Sequence, residues 1–287
     1  MATNTGQPDT PKVDPIANTE FLEKLTDRNN ETRKAIIRCI CRGIYAVSGL
    51  EDGLDSCIQE LLQLCNGSRS TMSKMLQNKI FNGQSPLRFI LLNLPDAFFA
   101  APSFTTAPPA IESLIAILDP SPGSSAFDEI VERCLEKDAN GLFQLVNDHR
   151  YFSESDGQKT SYSAIHVKGH PDELRFTVPN FPERILTEER IDLRFIAYNS
   201  LWSFIIFCHS DGTWRVMLQL LKEHPWVHDK GILRFSLHLT NLGQICNLSY
   251  SKPVVALLDI ENIRACLGKK RVLQGSLRIN RMNVNVR

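Results

Sequence analysis

Two hydrophobic periods divide the chain. From Asn18 to about Arg150, apolar residues recur at helical spacing; beyond Tyr151 they alternate. Ile36, Ile40, Ile44 and Val47 mark one helix face, with Arg38 and Arg42 on the opposite side. Leu54, Cys57, Ile58, Leu61, Leu62 and Cys65 follow the i, i+3, i+4, i+7 pattern of a second helix, with Ser48 and Glu51 spaced as a capping box before it and Asn66-Gly67 as a stop behind. A short helix is expected over 70–79. In NGQSPLRFILL, Asn82-Gly83 signals a turn, Ser85 is a good N-cap, and Pro86 falls where its missing N–H costs nothing. Leu87, Ile90, Leu91 and Leu94 form one stripe of the helix that follows, Phe89 and Leu92 make a second face apolar, and Pro95 ends it. Ile111, Leu114, Ile115 and Leu118 repeat the spacing, and two further helices are expected over 126–136 and 138–149.

The second half reads as strands. Ile191, Leu193, Phe195 and Ala197 share one face; so do Trp214, Val216, Leu218 and Leu220, and again Leu233, Phe235, Leu237 and Leu239. LWSFIIFC, 201–208, is apolar on both faces, as a central strand would be. Turn signals at Asn199-Ser200 and Ser210-Asp211-Gly212 predict an antiparallel meander. With ELRFTV, PVVALL and SLRINRMNVNV the count reaches about eight strands, which close best as two sheets face to face. The expected fold is α+β: a disordered polar tail over 1–18, an N-terminal helical array over 19–150, and a C-terminal antiparallel β-sandwich over 151–287.

Gly83-Gln84-Ser85-Pro86-Leu87 resembles the G-x-T/S-P-L signature of ankyrin repeats, in which a tight turn delivers the chain into the first of two antiparallel helices. The resemblance implies that Gly83 permits the turn, Ser85 caps the helix beginning at Pro86, and Leu87 packs between repeats. CIQELLQLCNG, 57–67, resembles the outer helix and terminal turn of a preceding repeat. Arg88 stands where the family usually has histidine, Ile90 and Leu91 replace its alanines, and the long segment 96–108 separates helices that are normally joined tightly. The signature occurs once, so the competing reading is an unrelated bundle with one well-capped helix. The combination of halves resembles uncharacterised fungal ankyrin-like proteins carrying such a degenerate array. WRVMLQLL followed by ILRFSLHL resembles the MATH-type sandwich of adaptor proteins. These resemblances imply protein binding or scaffolding and no defined catalytic activity.

Composition leaves that picture unchanged: 32 basic residues balance 32 acidic ones over 287 residues, so no global charge steers the chain to nucleic acid or a membrane. The N-terminal residues lack the apolar core of a secretory signal, and LWSFIIFC is far short of a membrane span. The cytoplasm is the expected compartment, the nucleus remaining open. Eight cysteines without repeated CxxC spacing are expected as buried reduced thiols. His166 with His170, and His224 with His228, sit four apart, but strand context and Pro171 and Pro225 argue against zinc ligation. No G-x-S-x-G elbow, phosphate loop or dinucleotide fingerprint occurs. No catalytic residue, metal or cofactor is therefore expected. Glu188-Glu189 beside Arg184 and Arg190 reads as a solvated connection. The basic C-terminal residues, Arg278 and Arg281 among them, read as protection of a sheet edge rather than an anion site. Trp202 and Trp214 are expected in the core; Trp226 is the candidate partner or ligand contact. The rival reading is a ligand-binding, carbohydrate-binding-type sandwich supported by the helices.

Overall fold

The computed structural model describes residues 15–46, 49–96, 99, 109–118, 120, 123–153, 166–170, 173–181, 184, 187–188, 190–210, 214–223, 232–239, 244–249, 254–258 and 272–282. Among these, eight helices precede nine strands, an α+β order. Contacts gather the chain into two compact units, Met1–Ile90 with Ala116–Leu118, and Leu91–Ile115 with Asp119–Arg287.

In the first unit, α1 (Pro15–Lys24) begins inside the 1–18 segment expected as tail, with proline at its first position. Asn30 starts α2 (Glu31–Ile44): its side chain accepts the N–H groups of Thr32 and Arg33 at 2.9 and 3.2 Å. Ile36, Ile40 and Ile44 are buried on one face, as their spacing predicts, while Arg38 and Arg42 are exposed. The expected capping box falls on Ser48, which lies outside the described residues. Gly49 is the N-cap of α3 (Leu50–Leu64), with φ 110 and no side-chain hydrogen bond. A left-handed backbone that glycine adopts freely starts the helix one residue beyond Ser48. The α3 stop is as expected: Asn66 has φ 55, its N–H donates to Gln63 O at 2.9 Å, and the Gly67 N–H donates to Leu62 O at 2.8 Å, a Schellman closure. Ser68 then caps α4 (Arg69–Gln77). Sequence pattern gave no hint that Arg33 is buried; its guanidinium donates to Thr26 O at 3.1 Å and to Ile80 O at 2.6 Å. The short helices α5 (Pro86–Asn93) and α6 (Pro109–Leu118) contribute residues to both units.

The second unit holds α7 (Ser125–Lys137), α8 (Asn140–Ser153) and all the strands. The strands are β1 (His166–His170), β2 (Glu173–Pro179), β3 (Arg190–Ala197), β4 (Ser200–Cys208), β5 (Trp214–Glu223), β6 (Ile232–Leu239), β7 (Gln244–Ser249), β8 (Val254–Leu258) and β9 (Val272–Met282). They form two antiparallel sheets, ordered β1-β2-β9-β6-β7 and β3-β4-β5-β8. The expected meander exists for β3, β4 and β5 only; β6 belongs to the other sheet. Alternation shows which residues share a face and is silent on which strands pair. The edge reading of the basic C-terminus is also corrected. β9 lies between β2 and β6, and Arg278 is opposite Glu173 on one side and Ser236 on the other. An inner strand has no free edge to protect.

The sheets touch through Phe176 of β2 and Phe204 of β4, whose ring centroids are 5.4 Å apart. Ile191, Leu193 and Phe195 stand opposite Ile206, Phe204 and Trp202, all buried, so one face of the β3–β4 pair is apolar along these three positions. β4 is buried on both faces from Leu201 to Ile206, as a central strand should be. Arg184 is not in a solvated connection. It is buried and grips Glu188 with two bonds, Nε to Oε1 at 2.7 Å and an NH2 group to Oε2 at 3.1 Å.

Candidate interaction surface

The repeat-signature residues come together in one hairpin-and-helix unit. Asn82 and Gly83 both have positive φ, 46 and 87. Phe81 and Gln84 exchange both backbone hydrogen bonds around them, at 3.0 and 2.8 Å. This is a two-residue hairpin turn, and Asn-Gly is the dipeptide that such a turn selects. Ser85 is buried; its Oγ accepts the Arg88 N–H at 2.9 Å, capping α5 with Pro86 at the first position. Leu87 is 0% exposed, and Ile90, Leu91 and Leu94 complete the buried stripe. Asn82, Gly83, Gln84 and Arg88 are exposed, so the tip of the turn and the first helical turn present a polar surface.

The second apolar face expected of this helix is only half realised. Leu92 is exposed, and Phe89 is covered instead by the turn itself, its ring stacked on Phe81 at 4.6 Å between centroids. The end of α5 is held by a residue that sequence reasoning passed over. Buried Arg133 of α7 donates to the carbonyls of Leu91 and Leu92 at 3.0 and 3.2 Å, pairs with Glu136, and lies over the Phe99 ring at 5.1 Å. Those carbonyls belong to the last helical turn, which has no partners of its own, and a cation there also complements the helix dipole.

A second constellation, equally unforeseen, fastens α7 and α8 to the sheet edge. Among the described residues, β3 has a strand partner on one side only. On its free side, the Ile196 N–H donates to Asn140 Oδ1 at 3.0 Å, and the Arg194 carbonyl accepts from Gln144 Nε2 at 2.8 Å. Gln144 Nε2 also donates to Asn140 Oδ1 at 3.1 Å. Two amide side chains one helical turn apart thus stand in for a neighbouring strand. The β3–β4 turn adds a reciprocal cap. Tyr198 and Asn199 both have positive φ, the Asn199 side chain donates to Leu135 O at 2.7 Å and Glu136 O at 3.2 Å, and its N–H donates to Asp138 Oδ1 at 3.1 Å. The available signal was Asn140, Gln144 and Asn147 at i, i+4, i+7, all three buried. Among the described residues, Gln144 Oε1 and Asn147 Oδ1 are buried without a donor.

Trp202 is 1% exposed, and its Nε1 donates to Ala197 O at 3.0 Å, so it offers no surface. Trp214 opens β5 opposite Cys208. Trp226, the candidate contact, lies outside the described residues, as do His224 and His228. His166 and His170 occupy the two ends of β1, opposite Thr177 and Glu173, four residues apart along a strand rather than one turn apart on a helix. Cys39, Cys57, Cys65 and Cys134 are buried free thiols and Cys41 is half-buried. Among the described residues, no group of three or more His, Cys, Asp or Glu side chains is placed to hold a metal ion, and no helix is long and apolar enough to cross a membrane. No family model matches the chain, and no curated protein or solved structure shows significant similarity to it.

Proposed function

We propose that the chain is a non-enzymatic protein-interaction or scaffold protein, its helical half a degenerate ankyrin-like array and its strands a β-sandwich. The observation that carries the reading is the hairpin-and-helix unit from Phe81 to Leu94. A two-residue Asn-Gly turn with an exposed tip feeds a serine-capped, proline-initiated helix whose leucine stripe is buried. That is the local grammar by which repeat proteins present turn tips to a partner while their leucines pack inward. The Phe176–Phe204 contact between two antiparallel sheets supports the sandwich. The lack of sequence motifs for nucleophilic, phosphate-binding or zinc chemistry supports a binding role without a cofactor. Against the carbohydrate-binding alternative stands Trp202, buried and hydrogen-bonded rather than available to stack on a sugar.

The test replaces Gln84 and Arg88 together by alanine, leaving the Asn82-Gly83 turn and the buried stripe intact. A protein enriched from native lysate by the parent chain and lost with the double variant, whose thermal melt is unchanged, supports the reading. No protein enriched by the parent over that variant counts against it.

A further inference from the structure

Two cysteine side chains meet between α2 and α3. Cys39 Sγ donates to Cys57 Sγ and to the Cys57 carbonyl, each at 3.5 Å, and both residues are buried. The approach has a visible cause one turn away. A Cβ added at Gly43 would meet Cys57 Cβ at 2.5 Å and Gly53 O at 2.9 Å; one added at Gly53 would meet Ala46 Cβ at 2.4 Å and Gly43 O at 2.5 Å. The two helices touch backbone to backbone through a pair of glycines. Helix axes ordinarily stand about 8–10 Å apart, too far for most residue pairs to satisfy the narrow separation a disulfide requires. The glycine crossing removes that obstacle for the pair beside it. On the outer side of the crossing, Arg42 and Glu60 form an ion pair between the same two helices.

We propose that Cys39 and Cys57 are an oxidisable dithiol that closes to an intramolecular disulfide when the chain meets a peroxide. The Cys39 thiolate attacks one peroxide oxygen: an S–O bond forms, the O–O bond breaks, and the departing hydroxide leaves as water with the proton that Cys39 released. Cys57 then attacks the sulfenic sulfur, so that S–S forms and S–O breaks, and the second hydroxide leaves as water with the proton of Cys57. The two thiols together lose two electrons and the peroxide gains them.

The order of attack follows from the surroundings. Once deprotonated, the Cys39 sulfur accepts from the Cys57 S–H, which holds Cys39 below its ordinary value, whereas the same bond, with burial, pushes Cys57 up. The other buried thiols are poorer nucleophiles: burial pushes Cys65 up to about 11 and raises Cys134 as well.

The full-length chain is treated under native conditions with hydrogen peroxide, alkylated after denaturation, and mapped by fragmentation mass spectrometry. Trypsin leaves Cys39 and Cys41 on one peptide, so Cys41→Ser is mapped beside the parent. The expected product is a 39–57 cross-link lighter by two hydrogens, retained in Cys41→Ser and absent from Cys39→Ser and Cys57→Ser. Recovery of both Cys39 and Cys57 as alkylated free thiols, at a peroxide dose that oxidises Cys41, would overturn the proposal. So would Cys39 found as sulfinic acid with Cys57 still free. Both readouts come from the parent chain and do not depend on the serine variants folding.

Discussion

Asn140→Ala is the most informative perturbation of the second unit. Asn140 Oδ1 is the acceptor for the Ile196 N–H on the free side of β3, and Ile196 is itself 0% exposed. Alanine keeps the helix start but leaves that N–H buried beside a methyl group, at a cost of about 1–3 kcal/mol. The shortened side chain adds a small packing loss, and Gln144 forfeits one of its two bonds while keeping Arg194 O. We expect about 2–3 kcal/mol in all. Gln144→Met should behave differently. It gives up the bond to Arg194 O, but it also removes Gln144 Oε1, an acceptor with no donor among the described residues, so the change should stay below about 1 kcal/mol. The assay is urea unfolding followed by tryptophan fluorescence. All three tryptophans, Trp202, Trp214 and Trp226, fall in the second unit, so the signal reads that unit alone. With a slope of a few kcal/mol per molar, Asn140→Ala should lower the midpoint by roughly 1 M. An unchanged midpoint, or a larger loss from Gln144→Met than from Asn140→Ala, would refute the claim that these amides complete the edge of β3.

The remaining expectations concern the helices. Leu87→Asp places an unpaired carboxylate in a fully buried position and should cost more than about 3 kcal/mol, read as a lowered melt by far-ultraviolet circular dichroism; an unchanged melt would mean that the leucine stripe packs nothing. Gly53→Ala must push α3 off α2, because its new Cβ would meet Ala46 Cβ at 2.4 Å and Gly43 O at 2.5 Å, so a loss of about 1–3 kcal/mol is expected and a neutral result would disprove the close crossing. The hydrogen bond and charge of Lys137 hold the Asp96 carboxyl below its ordinary 3.8. Because the folded value is depressed, this stabilisation is present above 3.8 and is lost as pH falls through the folded value. Lys137→Met should therefore flatten the acid limb of a stability–pH curve slightly, an effect that added salt should erase because Asp96 is exposed.

What the chain betrays in its sequence is local. Ser85, Pro86 and the Asn82-Gly83 turn act within a few residues of themselves, and their geometry follows from backbone rules alone. The same holds for the Asn66-Gly67 stop and the two-sided burial of 201–206. Gly49 shows where local rules are hard to read: the N-cap of α3 falls on a glycine with φ 110, a backbone that no side-chain capping pattern announces. The long-range connections were invisible. Arg33 and Arg133 look like ordinary surface cations on amphipathic helices, yet each guanidinium reaches a carbonyl more than forty residues away, Ile80 for Arg33 and Leu91 and Leu92 for Arg133. Strand order was hidden for a similar reason, since β9 pairs with β2 and β6 across most of the strand half. Trp202 was placed in the core by its apolar run, whereas Trp226 lies outside the described residues.

The amide-sealed edge of β3 bears on how the protein can be taken apart and made. The change of hydrophobic period near Tyr151 invites a cut there, but a fragment starting at that point would emerge without Asn140 and Gln144, its β3 backbone bare along one side. Bare edges recruit other strands, so such a fragment is a candidate for aggregation rather than an independent module. On the ribosome the order is benign. α7 and α8 precede β3 in the chain, so the helix that guards the edge is already in the nascent chain when the edge first appears.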